Sequence, residues 1–538
     1  MKNYLKFLAV LLFVSCGNDK TVAPKMAEVD QSTLAKHIER LASDEFLGRK
    51  PFTEGEVKTV NYLKDEFEKL GVSPGNGDSY FQEVPMVEIT GTPSEKMVIS
   101  GKEGSFNLDV LKDFVATTSK MTTDVSLDNS QLVFAGYGIV APEYDWNDYE
   151  GIDWKGKTAV VLINDPGFQS GDSTLFKGNE MTYYGRWTYK YEEAARQGAK
   201  GLIIIHDTEP ASYGWNVVES GWSGSKLIIE SDQPLLDVES WISGPSAELL
   251  FDASVMKGED YKTLARSKVF KPIPLDLEVS VAIQNKIKKD VSKNVIGLIP
   301  GTDLKDEVII YSAHWDHFGV GKAIDGDSIY NGAVDNASGT AGLLALAEAF
   351  KKTDTTRRSI AFIAVTGEEQ GLLGSAFYAE NPIFNPKKTV ANINIDALSS
   401  PGKMKDLTIT GFGQSEMDEY AEAAALEQDR YIIPDPDAEK GYFFRSDHFN
   451  FAKIGIPALY ASGSHEGFDM SIEEIKKMKA DYLTHIYHQP SDEYDPETTE
   501  LSGVQFDLQL FYNVGLRLAN EDYFPKWYDG SEFKAARK

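Results

Sequence analysis

From Gln31 to Leu70 apolar residues return at three- and four-residue intervals: Leu34, Ile38 and Leu41, then Val60, Leu63, Phe67 and Leu70. That period predicts two amphipathic helices, divided by the polar stretch Ser43–Arg49. Extended segments follow Gly71 as far as Pro93. Further on, the pattern changes to short unbroken apolar runs bounded by Gly and charge, at 132–136, 158–163, 201–205, 308–312, 359–365, 391–395, 407–410 and 456–460. Runs of this length without polar alternation predict strands buried on both faces. Helical periods lie among them at 191–197, 341–350, 372–379 and 417–426, and a long one closes the pattern at 502–519. Strands alternating with helices predict an α/β fold, a mostly parallel sheet covered by helices on both faces. In such sheets ligands gather at the carboxyl ends of the strands.

The start of the chain has a different pattern. Lys2 and Lys6 precede eight apolar residues, Phe7–Val14, and then Ser15-Cys16-Gly17. Eight residues are too few to cross a hydrocarbon core of about 30 Å, so residues 1–15 read as a signal peptide. A small residue before Cys, after an apolar run, resembles a bacterial lipoprotein signal. Cys16 would then be lipidated, and the exported protein would be held by that lipid in the cell envelope, with the outer membrane expected and residues 16–27 as tether. Cys16 is the single cysteine of the 538 residues, so no intramolecular disulfide can form. The remainder divides into 28–109, an insert at 110–268 and a main body at 269–538. Six of the eight Trp fall between Trp146 and Trp241, which sets the insert apart. A formal charge of −29 repels phosphate backbones and excludes nucleic acid as a partner.

The strand ends and loops of the main body hold the candidate chemistry. One strand leads into His314-Trp315-Asp316-His317, and a loop carries Asp335-Asn336-Ala337-Ser338. Strand 359–365 is followed by Glu368-Glu369, strand 391–395 by Asp396, and far downstream stand His488 and Asp492. Imidazoles and carboxylates without thiols suit Zn²⁺ bound through N and O. Two zinc ions sharing one carboxylate need about five protein ligands. His314, Asp335, Glu369, Asp396 and His488 fill that set, which leaves Glu368 as proton acceptor for an attacking water. Taken singly, each element has an ordinary explanation: a solvated Glu pair, a structural His, a helix cap at 335–338.

The ordered series Ala-His314-Trp-Asp316, Gly-Ala-Val-Asp335-Asn-Ala-Ser-Gly, Gly-Glu368-Glu369-Gln-Gly-Leu-Leu-Gly-Ser, Asn-Ile-Asp396 and His488-Gln-Pro-Ser-Asp492 resembles the aminopeptidase Y-type di-zinc exopeptidases, metallopeptidase family twenty-eight. The resemblance covers about 294–519. It implies that Asp335 bridges two Zn²⁺, that His314 and Asp396 complete one site and Glu369 and His488 the other, and that Glu368 is the general base. It also implies that Asp316 orients His314, that Asp492 serves His488 in the same way, and that a cis peptide follows Asp335. Arg445–Phe449 falls at the edge of the pocket. The insert resembles a protease-associated domain. Its aromatic residues, among them Tyr183, Trp187, Tyr213, Trp215 and Trp222, read either as a packed core or as a lid. The activity implied is removal of N-terminal residues from peptides. Carboxypeptidase or dipeptidase activity of the glutamate carboxypeptidase type, a one-zinc glutaminyl cyclase and a non-catalytic binding protein stay open as alternatives.

Overall fold

The computed structural model describes residues 26–398 and 401–537. The expected signal peptide, Cys16 and all of the expected tether before Met26 lie outside the described residues. Among the described residues no helix is long and apolar enough to cross a membrane.

Helices α1 (Gln31–Leu41) and α2 (Glu54–Leu70) form where the period predicts them. Asp30 caps α1 through Ser32 N–H, and Thr53 caps α2 through Gly55 N–H. Gly71, in the left-handed conformation, ends α2. Between the helices, 44–49 is a tight turn rather than an open polar loop. Gly48 sits at φ +63, where a Cβ would fall 2.5 Å from the Tyr330 carbonyl oxygen. The turn is thereby pressed against the loop that leads to Asp335.

The insert has its own parallel sheet, made from β1 (Asp124–Phe134), β2 (Thr158–Leu162), β3 (Gly201–Ile205) and β4 (Val238–Ile242). The order is β1-β2-β3-β4, with separate apolar cores on its two faces. β5 (Ile273–Ile299) is a 27-residue strand, longer than the pattern suggests. Its residues 273–284 pair antiparallel with 124–134, and its residues 295–299 pair with the sheet of the main body.

In that main sheet β6 (Leu304–His314) lies between β7 (Arg358–Val365) and β8 (Thr389–Asn394), parallel to both, and β9 (Ala458–Ser462) extends the sheet from β8. The side chains of β6 alternate between two cores. Ile309, Tyr311 and Ala313 enter the core that includes the helices α1, α2, α3 (Gly339–Lys352) and α4 (Ser502–Asn520), while Val308 and Ile310 enter the other, with Tyr378 and Phe451. Every residue of β7 and β8 is buried. This is the two-sided burial that unbroken apolar runs predict, and it places the ends of β6, β7 and β8 side by side.

Candidate active site

Each strand end delivers one part of the site. β6 ends on His314, whose partner across the ladder is Val365 at the end of β7. Just beyond Val365 come Glu368 and Glu369, and just beyond β8 comes Asp396. The loop into α3 supplies Asp335, and Asp335–Asn336 is a cis peptide. His488 arrives from a separate segment after a helix, Ile472–His485, with φ +58.

The five expected ligand residues converge. His314 Nε2 lies 3.1 Å from Asp396 Oδ1 and 3.2 Å from Asp335 Oδ1. His488 Nε2 lies 3.2 Å from the other Asp335 oxygen, Oδ2, and 3.4 Å from Glu369 Oε2. Asp335 therefore presents one oxygen to each imidazole. Two groups of possible ligand atoms share it: His314, Asp335 and Asp396, and His317, Asp335 and Glu369. His314 and Asp335 are 1% and 4% exposed, whereas the His488 side chain is 33% exposed, so the pocket opens on the His488 side. Glu368 Oε2 stands 4.0 Å from His314 Nε2, close to the cluster but outside its shortest contacts.

The surrounding hydrogen bonds fix these groups. Ser446 Oγ donates to Asp396 Oδ2 at 2.5 Å, leaving Oδ1 toward His314. This gives part of the Arg445–Phe449 segment a specific place at the site. Asp492 accepts from the Val334 and Asp335 N–H groups at 3.0 and 3.1 Å. It shapes the Asp335 loop, and among the described residues it makes no hydrogen bond to the His488 ring, which the resemblance implied. Asp316 also differs from expectation. The His314 Nδ1 partner is the Asp316 backbone carbonyl at 3.2 Å, while the carboxylate lies 3.9 Å away. The carboxylate accepts from Glu368 N–H at 3.1 Å instead.

Two residues stand here that the sequence reading did not select. His317, in the same strand-end segment as His314, has Nδ1 2.6 Å from Glu369 Oε1. Its position one residue past the Ala-His314-Trp-Asp316 motif was the only signal for it. Arg49, in the turn between α1 and α2, is 1% exposed. It donates to four carbonyls: Trp315 at 2.9 Å, Leu41 at 2.7 Å, Asn331 at 2.6 Å and Gly332 at 2.9 Å. It ties the β6 end to the Asp335 loop, and no periodicity could have shown that.

Charge in the pocket is crowded. Burial, then the neighbouring carboxylates, push Glu368 and Glu369 well above the usual carboxylate range. Burial raises Asp316 to about 6. Against its own burial, Asp335 is held low by hydrogen bonds from His314 and His488. Burial keeps His317 neutral, with its pKa down at about 3. The ring of His314 titrates well above its ordinary value, since Asp396 and Glu368 outweigh its burial. Several buried carboxylates facing imidazole nitrogens form a donor set that fits divalent cations preferring N and O.

The insert reaches the rim of this region. Tyr183 packs on Phe444 and Phe449 at centroid distances of 5.9 and 4.9 Å, and Met181 N–H donates to the Ala438 carbonyl at 3.2 Å. By contrast Trp187, Tyr191, Trp222 and Trp241 pack on one another inside the insert. Trp187, Tyr213, Trp215 and Trp222 are half-buried and pack against the insert's own core, whereas Tyr183 touches the main body.

Parts of the chain are similar to known proteins. Aminopeptidase NAALADL1 of Mus musculus is 33% identical over 161 residues, which is 29% of this chain and 20% of that protein. Aminopeptidase YwaD of Bacillus subtilis is 25% identical over 324 residues, 58% of each chain. The matched region thus spans a fifth of the mouse protein and just over half of the bacterial one. Among solved structures, an aminopeptidase from Aneurinibacillus sp. strain AM-1 superposes with a TM-score of 0.50 at 20% identity, covering 92% of this chain and 96% of that one, which establishes the shared fold. The family described as Peptidase family M28 matches residues 294–509. All five converging ligand residues, together with Glu368 and His317, fall inside that span, and residues 294–509 of the chain belong to peptidase family M28.

Proposed function

We propose that the chain is a zinc aminopeptidase that removes N-terminal residues from peptides, with two Zn²⁺ in the pocket. The observation that carries this reading is Asp335, whose two oxygens face His314 and His488 separately at 3.2 Å each. That arrangement gives one carboxylate to two cation sites. His314 and Asp396 would hold one ion, and Glu369 and His488 the other. When bound, the ions supply Lewis acidity toward the scissile carbonyl and lower the pKa of water to about 7. The chain's own residues supply the rest. Glu368, beside the cluster but outside its tightest contacts, takes the proton of the attacking water and returns it to the leaving amine. Asp316 fixes the Glu368 backbone, which sets where that carboxylate can reach. Names of relatives support the substrate class: both proteins compared above by sequence are called aminopeptidases.

A second reading, a carboxypeptidase or dipeptidase, is favoured by one observation. Arg186 of the insert and Arg445 beside Ser446 lie within electrostatic reach of each other, burial and then Arg445 pushing Arg186 down to about 10. The Nε of each is buried without a hydrogen-bond partner among the described residues. Two guanidiniums of this kind suit a substrate carboxylate. Both readings are tested by a panel of peptides with free or blocked N-termini and free-acid or amidated C-termini, assayed with and without chelator. The first reading expects cleavage that requires the free amine and is abolished by chelator. Cleavage that requires the free carboxylate and ignores the amine supports the second.

The N-terminal pattern supports export and lipid anchoring at Cys16. Replacing Cys16 by Ser should move the protein from the membrane fraction to the soluble one, and a variant that still pellets with membranes contradicts the anchor.

A further inference from the structure

His317 lies outside the ligand set, yet its place is built from three sides. Gly332 adopts φ +53, and a Cβ there would stand 2.6 Å from the His317 ring carbons Cγ and Cδ2. The loop can pass the ring only because residue 332 has no side chain. Arg49 holds the carbonyls of Gly332 and Trp315 at 2.9 Å each, so the loop and the strand end beside the ring are fixed to one guanidinium. Phe318 and His488 meet the ring edge-on at centroid distances of 4.9 and 6.0 Å. His317 is 1% exposed.

The ring has one polar contact. Nδ1 is 2.6 Å from Glu369 Oε1, and Nε2 has no partner among the described residues. A Glu369 that binds a metal is ionised and only accepts, so Nδ1 then carries the hydrogen. The other oxygen of Glu369, Oε2, faces His488 Nε2 at 3.4 Å. The two oxygens are thus divided, one toward a fixed donor and one toward the pocket.

We propose that His317 is a positioning residue that holds Glu369 through Oε1 and leaves Oε2 as its single donor atom toward the ion. The proposal rests on the metal reading given above. A free carboxylate could rotate and bind an ion through either or both oxygens. One whose Oε1 is tied to a buried ring presents a single oxygen at a set position. Partners of this kind change metal affinity by about 10–100-fold when removed.

The test reads zinc binding directly. Metal-stripped full-length protein is titrated with Zn²⁺ against a chromophoric chelator, and with Co²⁺ while its visible absorption is followed. His317→Leu removes the N–H donor and keeps an apolar side chain, whereas His317→Asn keeps an N–H near the position of Nδ1. The expected result is two ions in the wild type, with one of the two sites weakened about 10–100-fold in His317→Leu and its Co²⁺ band altered. His317→Asn should recover most of that affinity. If His317→Leu does not fold, His317→Met, also without a donor, replaces it. A donor-free variant that binds both ions as tightly as wild type overturns the proposal. Equal loss in His317→Asn and His317→Leu also overturns it, because that is the pattern of a direct ligand. A wild-type chain that takes up no zinc overturns the metal reading itself, and the role of His317 with it.

Discussion

Glu368 and Glu369 are neighbours in the chain with separate surroundings. Glu369 is held by His317 and faces His488, while Glu368 approaches His314 only to 4.0 Å. Glu368→Gln should therefore keep near-normal zinc content and lose about 10²–10⁴-fold in kcat. Glu369→Gln should lose zinc and activity together, with partial rescue by added Zn²⁺. Zinc per chain separates the two, and the opposite pattern would reverse the roles assigned. Arg49 makes a different prediction. Arg49→Met leaves four buried carbonyls without their donor and should cost about 3 kcal/mol or more, read as a lower urea midpoint. At this scale the residues whose spacing repeats a motif were legible: His314, Asp335, Glu368, Glu369, Asp396 and His488 could all be selected from the sequence. Of the residues around them, Arg49 and His317 were not, and Asp316 and Asp492 were selected with other partners. Arg49 acts across 266 positions on Trp315, and Asp316 and Asp492 spend their carboxylates on backbone N–H groups rather than on the rings their positions suggested.

At the scale of elements, strand ends and one loop do the positioning. The loop 332–338 depends on Asp492, which accepts from two of its N–H groups. Asn in place of Asp492 offers one acceptor oxygen and a donor group where the second acceptor stood. Asp492→Asn should destabilise by about 1–3 kcal/mol and lower kcat more than zinc content, because it acts on the placement of Asp335 rather than on a ligand atom. Unchanged kcat in this variant would show that the loop holds its shape without that carboxylate. Strands β6, β7 and β8 were readable from the sequence because burial on both faces removes polar alternation. The full length of β5 was not, since residues 273–299 change from one sheet to another within a single strand. The helix Ile472–His485 also escaped. Only Ile475 of it is buried, so it carries almost no apolar period.

At the scale of the molecule, the cores of the insert and of the main body are joined by β5 and by a further cluster in which Met181 and Tyr183 of the insert meet Phe444 and Phe449. Stability should fall in acid through buried rings far from the pocket. Burial lowers His37 from 6.5 to about 4, and the ring is 2% exposed beside the Tyr62 hydroxyl. The unfolded ring takes its proton near 6.5, and the folded ring refuses it until about 4. Between those values the unfolded chain binds the extra proton, so stability is lost as pH falls through that window, by up to about 3 kcal/mol for this ring. His37→Gln should flatten the fall of the urea midpoint between pH 6.5 and 4. An unchanged slope would remove His37 as its source.

The proposed peptidase activity depends on cations shared through Asp335. The most direct measurement is the rate of release of an N-terminal residue from a peptide with a free amine, as metal-stripped protein is titrated with zinc. No cleavage is expected without metal, and full activity at two zinc ions per chain, with the N-acetylated peptide left intact throughout. Cleavage by the metal-free chain, or equal cleavage of the free and acetylated peptides, would contradict it.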